Sequence, residues 1–207
     1  MKKIGSGWTY NVYEYKDGMV IKKKRPFWQR ALRIIISDPR LIFRVRKTIK
    51  SLDTLNNQSF TILKKLEKTN FDFSTIGNPV FVDKDTYIQN RFILVKDFLR
   101  DQVKLEKFVE EYIEQIKYFW SYGFADIVFN FTINNGISEI GEIVLFDFNE
   151  ITDDKELVLR TIQKHKWVNQ HSVKFHLRNE QRSYFKNKMS EEITAENLEL
   201  LWNKNSQ

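Results

Sequence analysis

The chain has no cysteine, so disulfide frameworks and thiolate metal sites are excluded. It has three histidines, His165, His171 and His176, and their spacing does not match the pair on a zinc-protease helix. A zinc enzyme is therefore not expected. Seven glycines and three prolines in 207 residues are too few for a disordered or loop-dominated chain. Long apolar runs are missing too: a stretch such as Ile34-Ile35-Ile36 falls far short of the ~20 residues that a membrane-spanning helix needs. Met1-Lys2-Lys3-Ile4 leads straight into Gly5, Ser6 and Gly7 and not into the apolar region of a signal peptide, so the expected location is cytoplasmic.

Hydrophobic residues make up 42% of the chain and aromatic residues 14%, enough to bury a sizeable core. The formal net charge of +7 favours an anionic partner, although charge bears on association and not on fold. Alternation over Asn11–Tyr15, a turn at Asp17-Gly18 and the run Met19–Lys22 predict a β-hairpin. Helical spacing follows over residues 26–70 and is broken at Asp38-Pro39. Leu32, Ile35 and Ile36 share one face, and Leu52, Leu55, Ile62, Leu63 and Leu66 form the stripe of a second helix over residues 41–68. Gly77-Asn78-Pro79 turns the chain into a second hairpin, Val80–Val82 with Thr86–Gln89. The clearest helix spans residues 104–122, where Leu105, Phe108, Tyr112, Ile116, Phe119 and Trp120 lie on one apolar face. A loop over residues 124–130 and a short hairpin, 131–134 with 142–146, come before a mostly helical remainder in which Thr194 caps the last helix. Trp167, Phe175, Tyr184, Phe185 and Trp202 are expected in the core. The order of elements predicts an α+β chain, a small β-containing part followed by a helical one.

Four segments carry residues suited to phosphate chemistry. Gly5-Ser6-Gly7-Trp8-Thr9-Tyr10-Asn11-Val12 matches a G-x-G-x-x-G-x-V loop at Gly5, Gly7 and Val12, with Tyr10 in place of the third glycine. Glycine there lets backbone N–H groups approach phosphate oxygens closely. Met19-Val20-Ile21-Lys22 resembles a V-A-I-K strand. Val20 and Lys22 fall on one face, with Lys23 as the alternative if the register slips by one residue. Gly123-Phe124-Ala125-Asp126-Ile127-Val128-Phe129-Asn130 resembles a catalytic loop of the H-R-D-x-x-x-x-N type. Phe124 stands where the histidine would be, and Asn130 comes one residue early. Thr132 and Asn134 are the fallback oxygen donors. Leu145-Phe146-Asp147-Phe148-Asn149 resembles a D-F-G segment after an apolar strand, with Asn149, a residue tolerant of positive φ, in the glycine place.

In this order, and with the long helix just before Asp126, the segments resemble the protein-kinase-like superfamily, closest to its small bacterial kinase-like members. The motifs cover residues 4–22 and 118–151. The resemblance implies a bilobal α+β fold, with a small antiparallel β lobe over residues 1–90 and a mainly helical C-terminal lobe over residues 91–207. It implies an ATP- and Mg²⁺-dependent phosphotransferase whose acceptor is a protein hydroxyl, a small molecule or a glycan. ATP would be held by Gly5, Ser6, Gly7, Val12, Val20, Lys22 and the strand exit at Gln89. Mg²⁺ would be held by Asn130 and Asp147, with Asp126 and Lys22 as the catalytic pair. No activation-loop or A-P-E segment is present, which favours a simplified, small-molecule-kinase-like lobe. No glutamate stands at the spacing needed to pair with Lys22, and with Tyr10, Phe124 and Asn149 this departure favours a second reading, a pseudokinase that binds nucleotide or partners without transfer.

Residues 22–50 hold eleven basic residues against the single acid Asp38, a net charge of +10, with Phe27, Trp28, Leu32, Ile35, Ile36 and Phe43 interleaved. Such a segment suits a packed helix with solvated charges, an anionic acceptor or a membrane surface. Nucleic acid ranks last, because no nucleic-acid motif accompanies the charge.

Overall fold

Strand alternation in the first 24 residues produces three antiparallel strands, β1 (Lys3–Ser6), β2 (Tyr10–Glu14) and β3 (Met19–Lys24). The structure, a computed structural model, describes residues 1–99 and 101–205. The β2–β3 turn closes with Met19 N–H donating to the Lys16 carbonyl at 2.9 Å, and Gly18 takes the left-handed conformation that a two-strand turn needs. The second predicted hairpin forms β4 (Val80–Asp83) and β5 (Thr86–Asn90). Together they make one five-stranded antiparallel sheet in the order β1-β2-β3-β5-β4.

Between the hairpins run α1 (Phe27–Ser37), a 3₁₀ turn (Pro39–Arg44) and α2 (Val45–Leu66). Asp38 stops α1 and caps the turn by accepting from the Arg40 N–H. The chain leaves α2 through a second 3₁₀ turn, Phe73–Ile76, which Gly77 terminates at φ 80°. A side chain at Gly77 would be strained there, and its Cβ would stand 2.6 Å from the Phe92 ring.

The second part is built on α3 (Gln102–Ser121), which Asp101 caps by accepting from the N–H groups of Val103 and Lys104. Its apolar stripe packs against α7 (Asn179–Glu192) and α8 (Ala195–Leu201), the latter capped by Thr194 as expected. Short pieces cross the face of α3. These are β6 (Ile93–Leu94), β7 (Ala125–Asp126), α4 (Phe131–Asn134), β8 (Asn135–Ile137), β9 (Ile143–Leu145) and β10 (Ile151–Thr152). They pair as β6-β8-β9 and β7-β10. α5 (Lys155–Gln163) and α6 (His171–His176) complete the chain.

Two expectations are corrected. Residues 131–134 form a single helical turn, and the hairpin strand begins at Asn135. The cause is local: Asn134 N–H and the Asn135 amide both donate to the Asn130 carbonyl, and the Asn135 amide also reaches that of Phe131, which coils the chain. Phe175 is exposed and not in the core, whereas Trp167 and Phe185 are fully buried. No helix among the described residues is long and apolar enough to cross a membrane.

Candidate functional site

One face of the large sheet collects most of the proposed phosphate residues. Val12, Lys22 and Tyr87 are direct cross-strand partners, as are Val20 and Gln89 two pairs further along. Period-two alternation puts all five on the same face. Lys22 is 5% exposed, and its Nζ donates to the Phe146 carbonyl at 2.8 Å, across 124 residues of sequence. The ammonium also lies 5.3 Å from the centre of the Tyr87 ring and 5.0 Å from that of Phe146. Burial pushes its pKa down, and the charge of Asp147 partly opposes this. Lys23 is exposed. α2 offers Lys22 no acid: Asp53 is taken by Lys24 and Arg30, each at 2.9 Å.

The loop after α3 supplies the opposite wall. Phe124 is a core residue, stacked on Phe119 with ring centres 4.9 Å apart, so the place expected for a histidine is filled by packing. Asp126 sits in β7 opposite Ile151 and is 6% exposed. Its Oδ1 accepts from the Val128 N–H at 2.8 Å, and its Oδ2 is buried without a hydrogen-bond partner. Burial raises its pKa to about 7, and the charge of Asp147 adds to the rise while Lys166 opposes it. Glu150 is likewise pushed up to about 7, by burial and then by Asp126 and Asp147. Phe129 holds φ at 53°, a strained conformation for a bulky residue, and is fixed by packing on Trp167 with ring centres 5.5 Å apart. That bend presents Asn130, whose Oδ1 accepts from the Ser172 hydroxyl at 2.6 Å.

Between these walls lies a cleft of about 590 Å³. Ser6, Gly7 and Val12 line it from the glycine-rich turn, Lys22 from β3, and Asn130, Asp147 and Glu150 from the far wall. Gly7 N–H donates to the Tyr10 carbonyl at 2.9 Å and closes the turn, with Trp8 at its exposed tip. Neither Gly5 nor Gly7 has positive φ, and a Cβ at either would meet nothing closer than 3.7 Å. The fold itself does not require glycine at these positions. Asn149 does not take positive φ either; its amide donates instead to Asp147 Oδ1.

Asp126, Gly5, Val20 and Gln89 do not line the cleft. Asp126 is buried, yet near enough for its charge and that of Asp147 to act on each other. Gln89 is buried, and its Oε1 has no hydrogen-bond partner. At the strand exit beside it, the backbone N–H groups of Asn90 and Arg91 are already used, donating to the carbonyls of Gly77 at 3.0 Å and Gly18 at 2.8 Å. Among the described residues no group of three or more carboxylate or imidazole ligands could hold a metal by itself. One carboxylate and one amide oxygen on a shared wall suit a hard divalent cation that takes its other ligands from phosphates and water.

Sequence reasoning missed the parts that hold the loop. Lys166 Nζ donates to the Ile127 carbonyl at 3.2 Å, Gln170 donates to the Val128 carbonyl, and Ser172 holds Asn130. All three come from a segment some forty residues downstream that carries no motif, and only its density of polar residues hints at the role. Comparison with known proteins adds no relative: no family model matches the chain, and no curated protein matches it.

Proposed function

We propose that the chain is a protein-kinase-like, ATP- and Mg²⁺-dependent phosphotransferase, with a small β lobe and a helical lobe closing on nucleotide. The reading rests above all on one observation: Lys22 reaches across to the backbone of Phe146, next to Asp147, inside a cleft that the glycine-rich turn and Asn130 also line. An ammonium, a carboxylate, an amide oxygen and a glycine turn with unused space are the parts that polyphosphate binding needs.

In this reading the Gly7 turn covers the phosphates with Trp8 as its lid. Val12 packs on the base. Lys22 exchanges its hydrogen bond to the Phe146 carbonyl for phosphate oxygens, which lightens the cost of burying an ammonium without a counter-charge. Asp147 and Asn130 would hold Mg²⁺, which when bound neutralises the developing phosphoryl charge. Asp126, buried outside the cleft lining and with a pKa raised to about 7, is the proposed base for the acceptor's proton, a role that requires the substrate-bound cleft to bring the acceptor to it.

Tyr10, Phe124 and Asn149 at motif positions, and the lack of an acid in α2 for Lys22, favour a second reading, in which nucleotide binds but no group is transferred. One pair of measurements separates them. Mg-ATP is expected to raise the melting temperature of the wild type and not of Lys22→Met or Asp147→Asn. Phosphate release or acceptor labelling is expected from the wild type and lost in Asp126→Asn. Stabilisation with no turnover in any variant would leave the pseudokinase, and no nucleotide effect at all would end the ATP reading.

A further inference from the structure

We propose that α1 and the 3₁₀ turn behind it dock the protein on an anionic phospholipid surface. α1 buries Arg30 and Ile34 and leaves Trp28, Leu32 and Ile36, spaced four residues apart, 64%, 53% and 72% exposed. The following turn adds two more, Ile42 at 52% and Phe43 at 97% exposed. Scattered apolar residues on a surface need no explanation, but five large ones exposed within one short segment do.

Apart from Asp38, the charges of residues 22–50 are of one sign. Lys23, Arg44, Arg46, Lys47 and Lys50 are exposed, and Arg33 is half-buried. Asp38, the only acid between residues 22 and 50, is occupied by the guanidinium of Arg40 at 2.8 Å. Lys22, Lys24 and Arg30 are paired with groups of their own, so the exposed positive charge of this segment is carried by Lys23, Arg44, Arg46, Lys47 and Lys50. A helix lying in the headgroup plane needs this pairing, with apolar side chains reaching the acyl boundary and basic ones among the phosphates.

The apolar row decides between anionic partners. A nucleic acid would use the cations but leave Leu32, Ile36 and Ile42 in water, and aliphatic side chains do not provide the stacking platforms that bases require. A second copy of the chain would bring like charge against like. Arg33 of α1 and Thr48 and Leu52 of α2 also line the cleft, so the docking surface adjoins it. The docking itself does not depend on what the cleft binds.

The test is co-sedimentation of the full chain with phosphatidylcholine vesicles, with and without a quarter of phosphatidylglycerol. Binding is expected only to the anionic vesicles and is expected to weaken as salt rises. Ile36→Ser and Phe43→Ser, at exposed positions where folding is checked by circular dichroism, should each lower the partition roughly ten-fold. Arg46→Gln and Lys47→Gln should each lower it roughly five-fold. Brominated lipid should quench a fluorescence component that Trp28→Phe removes. The proposal is overturned if the wild type stays in the supernatant at low salt, or if the serine variants bind like the wild type, which would mean charge alone is at work. It is also overturned if RNA or DNA is retarded while vesicles are ignored, or if the apolar substitutions act only by dissolving a dimer.

Discussion

Asp126 is where burial and chemistry conflict most. In the unfolded chain its carboxyl loses a proton near 3.8, while in the folded protein the proton stays until about 7. Between these values the folded state holds more protons than the unfolded one, so raising the pH favours unfolding. Stability is thus expected to fall from about pH 4 to pH 7 by up to roughly 4 kcal/mol, shared with Glu150, and then to level off. Asp126→Asn should flatten that slope in urea titrations run across the range, and an unchanged slope would mean that the carboxyl ionises freely. Lys22 presents the opposite case, a buried ammonium whose partners are a carbonyl and two ring faces. Replacing it with methionine keeps the stem's packing and removes the charge. Lys22→Met should therefore unfold at the same or a higher temperature than the wild type while losing any nucleotide-dependent shift. A large drop in melting temperature without ligand would mean that the ammonium is structural.

At the scale of elements, Asp53 joins three of them. From α2 it meets Lys24 at the end of β3 and Arg30 in α1, both at 2.9 Å. Arg30 is 3% exposed, its Nε already lacks a partner, and its other contact is the Ile49 carbonyl. Asp53→Ala would leave that guanidinium buried without a counter-charge, at a cost of about 3–5 kcal/mol, whereas Asp153→Ala, whose ion pair to Lys65 is exposed, should cost under about 1 kcal/mol. Chemical denaturation of the two variants side by side checks the contrast. The same elements show which parts of the fold a sequence displays. The two hairpins, both long helices and the Thr194 cap were readable because each rests on a period or a turn within a few residues. Residues 131–134 read as a strand because their alternation is real, but the Asn134 N–H and the side chain of Asn135 coil them. The cleft was readable at Lys22, within a strand, and at Asp147, just after one. The clamp of Lys166, Gln170 and Ser172 on the loop was not, since contacts across forty residues leave no local pattern.

For the molecule as a whole, the question is whether the sheet and the helices fold separately, as a division near residue 90 would suggest. The packing argues against it. One apolar cluster takes Tyr10 and Tyr87 from the sheet and Ile62, Leu63 and Leu66 from α2, and closes on Phe119, Phe124, Leu145, Phe148 and Ile151 from the second part. Phe148 is central to it, with its ring centre 5.2 Å from that of Tyr87 and 6.4 Å from that of Phe81. Polar links cross the same boundary: Lys22 to the Phe146 carbonyl, and Gln58 to Thr152 and Asp153. Each part alone would expose half of this cluster to water, so neither should be stable without the other. Calorimetry of the full chain should therefore show one transition whose van't Hoff and calorimetric enthalpies agree. A fragment of residues 1–90 should show no cooperative unfolding. Phe148→Ala should lower the stability of the whole chain by about 3–5 kcal/mol and keep the single transition, because the ring it removes belongs to both parts. Two resolved transitions, or a fragment that melts like a native domain, would mean that the shared cluster does not couple the two parts.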